Sequence, residues 1–329
     1  MTELRSFLLS NQQGDEVCIT NYGARIVQWH TLVEDEERNI VLGYSKLADY
    51  LDDAAHLGAI VGPYANRIGH SHVNINDQQM QLASNEGLNH LHGGPNALSH
   101  VLWQLEAQEA QFISFSYRCE DGFNGYPGPI HFKVDYQLTE ESELKITLSA
   151  TAEQATIVGP TSHAYFNLAG VEHNANEHLL HINAQYYTDL DDKMIPTGDI
   201  LPVAGSRYDF TKPRILKHDD ERDQIDLNFV INQRDDWQAV LISPDKKLQL
   251  HVQSSYPGLQ IYTGDHLSGK FSPRQGICLE PQYFPDSPNQ REFPFQLTTP
   301  EQPFRQEIVY QLVKILQTAG DKNKHAEDG

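Results

Sequence analysis

The chain has 329 residues, with 24 Lys and Arg against 45 Asp and Glu, and so carries a formal charge of −21. That balance excludes a nucleic-acid backbone, which needs basic patches to displace counterions, and disfavours an anionic membrane surface. With 39% hydrophobic and 21% charged residues the composition is that of a globular protein with a substantial core.

The first residues, Met1-Thr2-Glu3-Leu4-Arg5, lack the basic and apolar stretches of a secretory leader. No apolar run approaches the roughly 18 residues of a membrane helix. Cys18, Cys119 and Cys278 are odd in number, far apart and form no CxxC pair, so neither a disulfide framework nor a thiolate metal site is expected. These features together predict a soluble, cytoplasmic protein.

Along the chain, Lys46 to Leu51 predicts one short helix, and no segment sustains a 3.6-residue period over 12 residues. The dominant period is two. Ile113, Phe115 and Tyr117 alternate with Ser114 and Ser116. Phe132, Val134, Tyr136 and Leu138 alternate with Lys133, Asp135 and Gln137. Leu144, Ile146 and Leu148 follow after the polar Glu140-Glu141-Ser142, which reads as a hairpin turn, and Leu248, Leu250 and Val252 repeat the pattern. Strands with one wet face belong to antiparallel sheets. Turn pairs recur at Asp121-Gly122, Asn124-Gly125, Pro127-Gly128, Pro257-Gly258 and Pro285-Asp286. The fold class is therefore all-β, a large antiparallel β-sandwich with few short helices. Residues 1–319 read as a single domain, and the polar stretch 320–329 as a disordered tail.

Polar side chains concentrate in five places: Gly62-Pro63-Tyr64-Ala65-Asn66-Arg67-Ile68, Asn89-His90-Leu91-His92-Gly93-Gly94, Ser162-His163-Ala164-Tyr165-Phe166-Asn167-Leu168, Asp226-Leu227-Asn228-Phe229, and Gly276 through Glu280 to Gln290. Taken singly, each has a plain reading: a turn with an exposed guanidinium, a loop-capping histidine, a histidine at a sheet edge. Glu280 stands out. It ends the apolar run Ile277-Cys278-Leu279 and precedes Pro281, a setting that buries a carboxyl and raises its pKa toward acid–base work. The His70/His72 and His90/His92 pairs have the spacing of metal ligands on a strand but no third ligand at a fixed distance, so no metal is expected. Neither GxSxG, GxGxxG nor GxxxxGK[ST] occurs, which argues against a serine nucleophile, a dinucleotide and ATP.

In order, these segments resemble the aldose 1-epimerase (galactose mutarotase) family. The likeness runs from Asn21-Tyr22-Gly23-Ala24 to Phe293-Pro294, through Gly43-Tyr44, Ala65-Asn66-Arg67-Ile68, Leu91-His92-Gly93-Gly94, Gly125-Tyr126-Pro127-Gly128, Tyr165-Phe166-Asn167-Leu168, Asn228-Phe229, Tyr262-Thr263-Gly264 and Cys278-Leu279-Glu280. The resemblance implies a β-sandwich that interconverts the α and β anomers of a free monosaccharide, without a cofactor, as a monomer or homodimer. It implies Glu280 as base, His163 as acid, His92 near the ring oxygen, and Asn66, Arg67, Asp226 and Gln260 on the sugar hydroxyls. Pro63 and Ser162 depart from the family, which often carries Arg and Asn at these places. Competing expectations are a hexose-6-phosphate epimerase, with Arg67 joined by Arg274 on the phosphate; a glycoside hydrolase using Asp226 and Glu280; and a non-catalytic sugar-binding module.

Overall fold

The computed structural model describes residues 3–216, 223–232 and 237–315. The tail expected at 320–329 lies outside them. Within the described residues every strand ladder is antiparallel, and no helix is long and apolar enough to cross a membrane.

Two sheets make the sandwich. The larger has nine strands, and its centre is the run Phe112–Cys119, Ile130–Leu138, Glu143–Ala152, Phe304–Lys314 and Leu248–Ser254. These strands follow the period of two. Ile130–Leu138 buries residues 130, 132, 134, 136 and 138, and Leu144, Ile146 and Leu148 point the same way from the neighbouring strand. Each such side chain contributes about 1.5–3 kcal/mol on burial. The turn between them places Ser142 at φ 59°, a left-handed residue that lets the chain reverse.

The smaller sheet has six strands, in the order Tyr165–Phe166, Ile277–Gln282, Gly258–Tyr262, Asp226–Val230, Tyr186–Leu190 and Pro196–Pro202. Here the alternation disappears: all six residues of Ile277–Gln282 are buried. One side packs on the large sheet, where the Tyr310 hydroxyl donates to the Leu279 carbonyl at 2.7 Å and the Phe166 ring meets that of Tyr310. The other side of this strand faces a pocket, so Ile277–Gln282 has no wet face.

A four-stranded sheet from Ser6–Ser10 to Glu36–Asn39 precedes both. The short helix expected at Lys46–Leu51 is a 3-10 helix at Leu47–Asp52. Just beyond it lies a sealed ion pair. Arg25 donates from Nη1 to Asp53 Oδ2 at 2.5 Å, and both side chains are fully buried.

Candidate active site

The pocket is assembled where the six-stranded sheet meets two connections. Pairing of Gly258–Tyr262 with Ile277–Gln282 sets Gln260 opposite Glu280, and the next ladder sets Asp226 opposite Tyr262. The two-residue ladder Arg67–Ile68 with His90–Leu91 brings Asn66 beside His92. His163 follows the strand Thr161–Ser162, and its backbone is tied by a donor bond to the Ala59 carbonyl and an acceptor bond from the Gly58 amide.

The backbone at these points is unusual. Asn66 has φ 61° and His92 φ 51°, left-handed values that non-glycine residues rarely adopt. The glycines after His92 are dictated by space: a Cβ on Gly93 would lie 1.8 Å from the Gly62 carbonyl oxygen.

The cavity measures about 240 Å³, and its wall includes Asn66, Arg67, His92, His163, Asp226 and Glu280. Six of the seven residues singled out from sequence therefore share one wall. Gln260 stands behind it, buried, its Nε2 donating to Asp226 Oδ1 at 2.5 Å. A larger cavity of about 580 Å³ beside Tyr208, Phe210 and Ile215 has no histidine–carboxylate pair among its described lining.

At the floor, His163 Nε2 is 3.8 Å from Glu280 Oε1. The two residues are only 5% and 2% exposed, yet Glu280 Oε2 has no hydrogen-bond partner. A buried carboxylate oxygen left without a donor is costly. Desolvation pushes the Glu280 carboxyl well above its usual range, and the nearby Asp226 charge adds to this. Desolvation pushes the His163 imidazole down to about 4. With one proton between them, these opposite shifts place it on Glu280. Cys278 Sγ lies 3.6 Å from His163 Nδ1, and burial keeps it a thiol by raising its pKa.

Arg67 is held in a fork by Glu86, with Nε to Oε2 at 2.8 Å and Nη2 to Oε1 at 2.9 Å, while its Nη1 is 3.6 Å from Asp226 Oδ2. Burial raises the half-buried Asp226 carboxyl, and Arg67 and Gln260 oppose that shift. The Asn66 backbone amide donates to His92 Nδ1 at 3.1 Å. In the neutral ring, which desolvation favours, the proton of His92 must then be on Nε2. Asn66 Oδ1 accepts from the Arg67 amide at 2.9 Å, which leaves the Asn66 NH2 as its donor.

Of the histidine pairs weighed as metal ligands, His90 has both ring nitrogens engaged, with the Ala83 carbonyl at 2.6 Å and the Tyr126 hydroxyl at 2.7 Å. Among the described residues, one group of His, Cys and acidic side chains has its ligand atoms within 4.8 Å of one another: His163, Cys278 and Glu280. Arg274 lies outside the pocket wall, paired with Asp265 at 3.0 Å. Sequence reasoning missed Glu86 and His56, both in the wall. Neither belongs to a motif; long-range pairing brings them in.

A family model described as aldose 1-epimerase matches residues 5–311. The aldose 1-epimerase of Escherichia coli K12 is 33% identical over 308 residues, covering 88% of this chain and 89% of its own. The galactose mutarotase of Homo sapiens is 35% identical over 297 residues, covering 84% and 86%. Among solved structures, a GalM/aldose epimerase homologue from C. elegans superimposes with a TM-score of 0.91 at 27% identity, covering 95% of this chain and all of its own. A galactose 1-epimerase from Lactobacillus acidophilus gives 0.85 at 27% identity, covering 95% of each chain.

Proposed function

The chain belongs to the aldose 1-epimerase family, and on that premise we propose how its pocket interconverts the α and β anomers of a free aldose. Glu280 and His163 are the base and acid. The reacting form is the one in which the proton that the pair shares has passed from Glu280 to His163. Glu280 takes the proton of the C1 hydroxyl, the C1–O5 bond breaks with its electron pair passing to O5, and His163 protonates O5. The product is the open-chain aldehyde beside a neutral carboxyl and a neutral imidazole. Rotation about C1–C2 presents the other face of the carbonyl. His163 then takes the O5 proton, O5 closes on C1, and Glu280 returns a proton to O1.

The supporting observation is the buried pair itself, with the partnerless Glu280 Oε2. A dry site favours the neutral arrangement over the carboxylate–imidazolium one. The neutral arrangement is the one present after ring opening. Burial therefore draws the proton transfers that start from the carboxylate–imidazolium form toward the open chain. His92, as an Nε2–H donor, faces developing charge on the ring oxygen. Asp226, Arg67 and the Asn66 amide hold sugar hydroxyls, and proximity makes its contribution through them. Gln260 acts one step back by holding Asp226.

The substrate is a neutral hexose or pentose such as galactose or glucose. Arg67 is the one Arg or Lys in the described pocket wall, and it is already forked to Glu86, which disfavours a sugar phosphate. The three cysteines are unpaired, in keeping with a cytoplasmic location. Polarimetry of freshly dissolved α-D-galactose and α-D-glucose tests the reading. Accelerated approach to the equilibrium rotation, unchanged by EDTA, is expected; absence of acceleration on every aldose tried refutes it.

A further inference from the structure

We propose that His56 is a substrate-binding residue of this pocket, accepting a hydrogen bond from one sugar hydroxyl at its Nε2; this rests on the mutarotase reading above. His56 is half-buried, lines the cavity, and has φ 53°, the same left-handed backbone as Asn66 and His92. Its ring centroid lies 5.1 Å from that of His92 and 6.0 Å from that of His163.

A chain of hydrogen bonds fixes its tautomer. His100 Nε2 is 3.2 Å from the backbone carbonyl of Asp53, which can only accept, so His100 carries its proton on Nε2. Desolvation lowers the His100 pKa and keeps the ring neutral, leaving Nδ1 bare. The Ser99 hydroxyl, 2.9 Å away, must donate its one proton there. Ser99 Oγ is then free only to accept, and it does so from His56 Nδ1 at 3.0 Å.

Desolvation and the neighbouring His163 hold His56 neutral as well, by lowering its pKa well below the usual value. The proton is on Nδ1, so Nε2 is a bare lone pair. That nitrogen has no protein partner among the hydrogen bonds of the described residues, and it is not among the sealed, unsatisfied atoms. His92 has the opposite tautomer, set by the Asn66 amide. The two neighbouring rings thus offer one donor and one acceptor, which suits adjacent oxygens of a sugar edge. A site built around a hydroxyl donor discriminates against analogues that lack it.

The test is mutarotation kinetics of wild type, His56→Phe and His56→Gln on an aldose and its series of mono-deoxy analogues. His56→Phe is expected to lower kcat/KM on the parent sugar about tenfold, the order of one hydrogen bond. On one deoxy analogue the same substitution should have no effect, and His56→Gln, whose Oε1 can replace Nε2 as acceptor, should recover part of the loss. An equal loss on every analogue, or none on any, overturns the proposal. Wild-type inactivity on all aldoses overturns the mutarotase reading and the proposal with it. Long-range 1H–15N spectra of the wild type give a readout that needs no variant: protonated Nδ1 on His56 is expected, and protonated Nε2 refutes the tautomer chain.

Discussion

Two buried acids, each beside a base, show opposite solutions to the same electrostatic problem. Asp53 is sealed and satisfied. Besides Arg25 it accepts from the Leu57 amide at 2.8 Å, the Ala55 amide at 3.1 Å and the Tyr44 hydroxyl at 3.3 Å. Arg25 also donates from Nη1 to the Leu57 carbonyl and from Nη2 to the Ser99 carbonyl, while its Nε has no hydrogen-bond partner, and its guanidinium lies over the rings of Tyr22 and Tyr50. Glu280 has a histidine beyond hydrogen-bond range and a second oxygen with no partner. Burial is equal; hydrogen bonding is not. The first arrangement fixes the connection that carries His56, and the second leaves a buried carboxyl oxygen without a donor. A buried charge is structural when all its lone pairs are met, and available for chemistry when they are not.

The comparison predicts opposite outcomes for the two sites. Glu280→Gln and His163→Asn should each lower kcat by about 10²–10⁴-fold, the usual range for one acid–base group, with circular dichroism unchanged. Full activity in both would remove the basis for treating the pair as acid and base. Arg25→Met should instead cost about 3–5 kcal/mol of unfolding free energy in urea, because it leaves Asp53 buried and unpaired. A small loss there would mean that the sealed pair is no more structural than Glu280.

The pH profile sharpens the contrast. In the proposed mechanism the pair carries one proton between its two members. A second proton must go to His163, held down to about 4, and the last must leave Glu280, held above the usual carboxylate range. A plot of kcat/KM against pH should show a plateau with an acid limb near 4 and an alkaline limb well above that range. A single limb at the ordinary carboxylate pKa would contradict the burial argument.

Much of the large sheet was legible because its strands have one wet face; the alternation in Phe132–Leu138 and Leu144–Leu148 is a local signal. Ile277–Gln282 carries no such signal, being covered on one side by the core and on the other by the pocket wall. Glu280 was legible as a carboxyl closing an apolar run. Asn66, Arg67 and His92 were legible only as parts of a family pattern, since alone each looks like a turn residue. Glu86 and His56 were not legible at all. Glu86 matters because it forks Arg67, 19 positions earlier, and His56 because of Ser99, 43 positions later. Partners so distant leave no trace in a short window of sequence.

The smallest expected effect separates the two acids most cleanly. Glu280 has a folded-state pKa above its unfolded value, so the native state keeps a proton that the unfolded chain releases. Stability therefore falls as pH rises from the unfolded carboxylate value, about 4.3, toward the raised native one. Glutamine has no proton to lose. Glu280→Gln should thus match wild type in stability below about pH 4 and exceed it at neutral pH. Asp53→Asn should lose stability instead, because the amide breaks the buried ion pair with Arg25. Urea titrations of both variants at pH 4 and pH 7 measure the sign directly. A Glu280→Gln protein less stable than wild type at pH 7 would show that the native fold stabilises the carboxylate, and that Glu280 belongs with Asp53 after all.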